Sequence, residues 1–187
     1  MLNGRMEGHA PLAADEMLDI VDDNDRVVGQ ARRAESYANR LCHRCVFILV
    51  RDADGMIFVH RRTDRKLVFP GRYDMFVGGV VGAGESYDAA ALREAEEELG
   101  VCGLPVPTPL FKFRYETPEH LWWSWVYQVR CDLPVHPQAE EIAWHTFLTD
   151  DELDDCLSRW EWVPGGLAAY QRLRAQGFCG EAVDGAP

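Results

Sequence analysis

Residues 79–101 read GVVGAGESYDAAALREAEEELGV, and this stretch decides the fold. A glycine-rich loop runs into a short helix that carries Glu94, Glu97 and Glu98. Side chains at i, i+3 and i+4 share one helix face. With Glu94 at zero and about 100° of rotation per residue, Glu98 falls at about 40° and Glu97 at about −60°. Leu92, Ala95 and Leu99 fall at roughly 160°, 100° and 140°. The helix therefore packs Leu and Ala inward and turns a carboxylate face the other way. Ser86 fits the N-cap, Asp88 suits the first turn, and Gly100 suits the left-handed position that ends the helix. Three like charges at this spacing repel one another and weaken a solvated helix. A divalent cation reverses that sign, because hard ions such as Mg²⁺ take oxygen ligands and share carboxylates with substrate phosphates. A solvated helix that is merely Glu-rich is the plain alternative.

The loop in front of the helix favours the metal reading. Gly78, Gly79, Gly82 and Gly84 follow one another closely. Such a loop lets backbone approach a ligand, offering a carbonyl to a metal or N–H groups to a phosphate. Arg93 lies beside Glu94 and one turn before Glu97, where a guanidinium can orient a carboxylate. Glu85 is placed to brace Arg93 from the loop.

Gly79, Glu85, Arg93, Glu94, Glu97, Glu98, Gly100 and Val101 stand in the spacing G-x5-E-x7-R-E-U-x-E-E-x-G-U, where U is a bulky apolar residue. The segment thereby resembles the Nudix box. Ala95, small but apolar, is the one soft departure. The resemblance implies a Nudix-type α/β/α sandwich with a mixed β-sheet. It also implies an enzyme that hydrolyses a diphosphate bond in a nucleoside diphosphate linked to another group. By the same resemblance Glu94, Glu97, Glu98 and the carbonyl of Gly78 bind Mg²⁺ or Mn²⁺, with Glu94 and Glu97 catalytic. Gly79, Glu85, Arg93 and Gly100 are then structural members of the box.

Outside the box the chain is similar, more loosely, to type I isopentenyl diphosphate isomerase over residues 17–175. The stretches DIVDDNDRVVGQ, HRCVFILVRD and FVHRRTDRKLVFPGRYD carry that likeness. The departures argue for hydrolysis. Gly78 and Val80 stand where the isomerase has a catalytic cysteine and a metal-binding histidine, and Ser36 stands near another of its ligands. Only His43 matches one of them. An isomerase-like enzyme and a non-catalytic nucleotide-binding module are the alternative readings.

The 187 residues suit one domain, expected over 16–177, with tails over 1–15 and 178–187. An apolar content of 47% is ample for a core. The net charge of −12 argues against nucleic acid and against anionic membranes as partners. The expected partner is a small-molecule diphosphate, met by local basic residues. The N-terminus is polar and no apolar run is long enough to cross a bilayer. Six scattered cysteines then suggest reduced thiols and a cytoplasmic protein. Cys42 and Cys45 have C-x2-C spacing, but no second pair completes a zinc site, so packed thiols are expected.

The remaining pattern predicts a hairpin of 18–21 and 27–30, a short helix over 34–40, and strands over 45–51 and 56–61 joined by Asp52-Ala-Asp-Gly55. A loop over 66–77 leads to the box through a short strand. Strands over 110–115, 121–130 and 143–148 follow, then helices from Thr149 to about Arg159 and over 165–176. Arg61, Arg62, Lys66 and Arg72 surround the loop before the box and suit substrate phosphates. In the isomerase-like branch the positions matching Arg62 and Lys66 contact the diphosphate. Glu140 or Glu141 offers an alternative base from a loop. Alternation puts Trp123, Trp125 and Tyr127 on one strand face and Trp122 on the other. The triple face has three uses: stacking a nucleobase, sheet core, or a homodimer contact.

Overall fold

A computed structural model describes residues 13–177. The expected tails lie outside the described residues over 1–12 and 178–187. Ala13–Asp15 instead form a short 3-10 turn, where Asp15 pairs with Arg32 at 2.9 Å.

The chain runs β1 (Met17–Val21), β2 (Val27–Arg32), α1 (Arg33–Ala38), β3 (His43–Arg51), β4 (Ile57–Arg62), β5 (Tyr73–Asp74) and α2 (Tyr87–Leu99). It continues through β6 (Thr108–Glu116), β7 (Leu121–Arg130), β8 (Ile142–Leu148), α3 (Asp150–Leu157) and α4 (Pro164–Ala175). β1 and β2 form a separate hairpin, turned where Asp22 accepts from the backbone of Asn24 and Arg26 at 2.8 and 2.9 Å. The β3–β4 turn is held the same way by Asp52, with Gly55 at φ 81°. α1 stops at Ala38, short of the expected end at Arg40, because Arg40 takes φ 51° and cannot continue the helix.

β3 sits at the sheet centre, as its nearly unbroken apolar run requires of a strand buried on both faces. It pairs parallel with β7 from His43↔Trp122 to Arg51↔Arg130. β6 flanks β7 antiparallel, while β4 carries β5 and β8, so the sheet is mixed. Val46, Ile48 and Val50 face α2 through Ala90, Ala91, Ala95 and Leu99. Leu49 and Val126 share the other core with Leu153, Ala169, Tyr170 and Leu173 of α3 and α4. The sheet thus lies between two helical layers, the expected α/β/α sandwich.

α3 starts with a complete capping box: Thr149 accepts from the Glu152 backbone, and Glu152 accepts from the Thr149 backbone at 2.9 Å. Thr149→Ala is expected to lower stability by about 1 kcal/mol. Urea unfolding checks this, and an unchanged midpoint would mean that packing alone fixes the helix start.

Among the described residues, Cys42, Cys131 and Cys156 are buried free thiols and Cys45 is half-buried. Burial drives the Cys45 thiol pKa strongly upward, so it packs as a small apolar group. No helix among the described residues is long and apolar enough to cross a membrane.

Candidate active site

α2 turns its small side inward as the periodicity requires, with Ala90, Ala91, Ala95 and Leu99 buried and Ser86 capping the Ala89 N–H at 3.2 Å. The three carboxylates differ in exposure. The side chains of Glu94 and Glu98 keep 13% and 6% of their surface, against 55% for Glu97. Arg93 organises two of them. Its Nε and Nη2 donate to both oxygens of Glu85, each at 2.9 Å, in a bidentate fork. Its Nη1 donates to Glu94 at 2.8 Å and to Glu97 at 3.3 Å. The loop carboxylate therefore fixes the guanidinium, and the guanidinium fixes the helix carboxylates.

The glycine loop is drawn over β3 by hydrogen bonds from Ile48 to the Val77 carbonyl and from Val46 to the Gly79 carbonyl, at 2.8 and 2.9 Å. At Gly78, φ is 150° and a Cβ would meet the Val46 carbonyl oxygen at 2.1 Å. At Gly79 a Cβ would lie 2.6 Å from both carboxylate oxygens of Glu94. Only glycine lets the backbone come this close. The Gly78 N–H donates to Glu98 at 3.3 Å.

Among the described residues, no three metal-ligating side chains surround a common point. The carboxylates share two protein cations instead. Arg93 lies between Glu94 and Glu97, and Lys66 pairs with Glu98 at 3.6 Å and with Glu141. The donor set still fits a hard divalent ion, because every candidate donor is a carboxylate or carbonyl oxygen. Glu94 is also held in its less charged state. Burial first, and then the neighbouring Glu98 carboxylate, push its pKa up to about 7.

The carboxylates form one wall of a cavity of about 370 Å³. Arg62 and Lys66 stand on the wall, with Glu140 and Glu141 near them. Arg62 donates to the Val68 carbonyl at 3.2 Å, and its Nε is buried without a partner. Arg72 does not line the cavity. Its guanidinium donates to the Trp162 carbonyl at 3.1 Å, in the segment between α3 and α4. Arg61 likewise serves the loop, donating to the Gly71 carbonyl at 3.0 Å.

Of the three uses of the aromatic face, the fold shows sheet core for two of its members. Trp125 and Tyr127 pack in the α2-side core and Trp123 donates to the Asp22 carbonyl, whereas Trp122 lines the cavity. Sequence reasoning also missed Asp74, Arg33 and Tyr37 on the cavity wall. Asp74 is buried, and burial raises its pKa to about 7 against the opposing pull of Arg62.

These two raised carboxyls set a pH dependence. A buried acid whose folded pKa exceeds its unfolded value adds stability below the unfolded value and loses it as pH rises through the folded one. For Glu94 and Asp74 that loss spans the interval from their ordinary values near 4.5 and 3.8 up to about 7. Metal-free protein is expected to melt at falling temperature across this interval. Glu94→Gln is expected to make the fall shallower, and equal slopes for the two proteins would contradict the assignment.

Comparison with known proteins settles the family. The NUDIX domain family model matches residues 42–175. The chain belongs to the Nudix hydrolase family. Its members are pyrophosphohydrolases that act on phosphorus-containing anhydrides and generally use divalent metal ions. The chain is 66% identical over 164 residues to an uncharacterized Nudix hydrolase of Streptomyces coelicolor, covering 87% of this chain and 91% of the relative. A crystal structure from Deinococcus radiodurans is similar at 34% identity and TM-score 0.70, covering 84% of this chain and 98% of that one. The NUDIX domain of Shewanella oneidensis NrtR, solved with ADP ribose, shares the fold at 16% identity and TM-score 0.56, covering 78% and 99%. α2 and the loop before it carry the stretch that resembles the Nudix box, and the Glu85–Arg93 fork is an ion pair within that stretch.

Proposed function

We propose that this Nudix protein cleaves the diphosphate bond of a nucleoside diphosphate derivative or related organic diphosphate, using Mg²⁺ or Mn²⁺. Glu94, Glu97, Glu98 and the Gly78 carbonyl are the groups that would hold the ion. The observation that carries this reading is the Arg93 fork, which holds Glu94 and Glu97 at one edge of a cavity that also presents Arg62 and Lys66. The ion supplies neutralising charge for the diphosphate and acidifies a bound water. The protein supplies the rest. Arg62 can meet phosphate oxygens in a bidentate way and Lys66 as a point charge, once substrate draws Lys66 away from Glu98 and Glu141. Glu94, on the cavity wall, is the first candidate to accept the proton of the attacking water. Glu97 is the alternative base, and Glu141 can take that role from its loop when Lys66 leaves it. We place this activity in a single domain over 16–177 of a cytoplasmic protein.

The test is a panel of diphosphate compounds, including ADP-ribose, incubated with and without Mg²⁺ and analysed for products. Mg²⁺-stimulated release of phosphate or a nucleoside monophosphate supports the reading. Tight binding with no product over a long incubation would mark a non-catalytic module. Double-bond migration in isopentenyl diphosphate would mark an isomerase, which Gly78 and Val80 oppose.

A further inference from the structure

The cavity wall also takes in residues of α1, β3, β7 and the turn before β7. Tyr37, His43, Trp122 and His120 line it. His43 and Trp122 are register partners on parallel strands, with ring centroids 5.9 Å apart. Tyr37 approaches His43 at 5.4 Å and His120 approaches Trp122 at 5.5 Å.

The hydrogen bonds fix the state of His43. Its Nδ1 lies 3.0 Å from the Leu41 carbonyl oxygen, which can only accept. Ser36 Oγ lies 3.2 Å from the same nitrogen and 3.2 Å from the same carbonyl, to which it donates its one proton. Nδ1 therefore carries the hydrogen and Nε2 keeps a bare lone pair. Burial holds the ring pKa down to about 4, so this tautomer stays neutral at working pH.

His43 Nε2 is buried and has no partner, and neither has the buried Trp122 Nε1. Three of the six such atoms among the described residues, these two and Arg62 Nε, belong to residues of the cavity wall. A buried polar atom left unpaired costs about 1–3 kcal/mol, and folded proteins pair nearly all of them. Here an acceptor and a donor stand unpaired on adjacent strands, between aromatic rings, on two residues of one cavity wall. Trp122 cannot ligate a cation, so the pair suits an organic group better than a metal.

We propose that His43 and Trp122 form a specificity subsite that reads an uncharged group bearing both a hydrogen-bond donor and an acceptor on the substrate. His43 Nε2 accepts from that group and Trp122 Nε1 donates to it. A nucleobase edge and a sugar hydroxyl share this chemistry. An anionic phosphate oxygen would face a bare lone pair and is turned toward Arg62 and Lys66. An alkyl tail would leave both protein atoms unpaired, so an isoprenoid diphosphate is discriminated against. The inference rests on the diphosphate reading above and orients the substrate within it.

The test is calorimetry on the full chain with Mg²⁺, using inorganic pyrophosphate, ADP, UDP, UDP-glucose, ADP-ribose and isopentenyl diphosphate as probes. At least one probe with a base or sugar should bind roughly 10-fold or more tightly than isopentenyl diphosphate, as one added hydrogen bond allows. His43→Phe and Trp122→Phe should each remove that advantage while pyrophosphate binds as before, which also shows that the fold is intact. His43→Gln, which restores an acceptor, should recover part of it. Preference that changes with the base identifies a base edge, and equal preference for all nucleotides identifies a sugar hydroxyl. The proposal fails if isopentenyl diphosphate binds as well as every other probe, or if both Phe variants keep the wild-type preference. Absence of pyrophosphate binding to the wild type would sink the diphosphate reading, and this subsite with it.

Discussion

Glu97→Gln is expected to lower kcat by roughly 1,000-fold, the scale seen when a group that stabilises transition-state charge is removed. Gln keeps the shape of Glu and loses its charge. The side chain is 55% exposed and meets Arg93 at 3.3 Å, so little of the fold depends on it. The melting temperature should therefore stay close to wild type, as for most exposed substitutions. A large loss of rate at constant stability is the signature of a functional carboxylate. A wild-type rate would remove Glu97 from the catalytic set and return it to a solvated helix face.

Arg93→Met is expected to damage both rate and stability. The guanidinium joins Glu85, Glu94, Glu97 and the Val80 carbonyl. Without it Glu94 stays buried next to Glu98 with no hydrogen-bonded cation of its own and withdraws from its place or takes up a proton. About 1–2 kcal/mol of stability should be lost, after discounting for the partial exposure of the side chain. The rate should fall about 100-fold, through displaced ligands rather than through lost contact with substrate. Arg93→Lys is the informative control. It keeps the positive charge and cannot make the fork to Glu85, so it should recover stability in part and rate hardly at all. Full recovery by Lys would mean that charge, and not geometry, is what the box requires.

The features legible in the sequence are those set by local chemistry. The helical period placed Glu94, Glu97 and Glu98 on one side and Ala95 and Leu99 in the core. Asp52 and Gly55 marked a turn because one carboxylate and one positive φ suffice to make it. The run CVFILV announced a strand, which the fold places at the sheet centre. What stayed hidden depends on which strands meet. Trp122 enters the cavity because β7 pairs with β3 and brings it beside His43, and strand alternation alone gives no hint of which face meets the cavity. Arg72 reads as a phosphate ligand by its position in a basic loop, and nothing local announces the Trp162 carbonyl to which the fold brings it. Asp74 gave no signal, since a lone acid in a loop is ordinarily solvated, and here the fold buries it. Helical angles also say nothing of counter-ions from other elements. Spacing made Arg93 legible as a partner of Glu94 and Glu97, whereas the pairing of Lys66 with Glu98 across the fold was not.

The central claim is that the α2 carboxylates gather a divalent ion at the edge of the cavity. Its most direct test is anomalous diffraction from crystals soaked in Mn²⁺ with a non-hydrolysable diphosphate. The account predicts a peak bounded by oxygens of Glu94, Glu97 and Glu98, with Lys66 swung toward the diphosphate. Crystals that show the diphosphate in the cavity, Lys66 still on Glu98 and no manganese among the three carboxylates would contradict it.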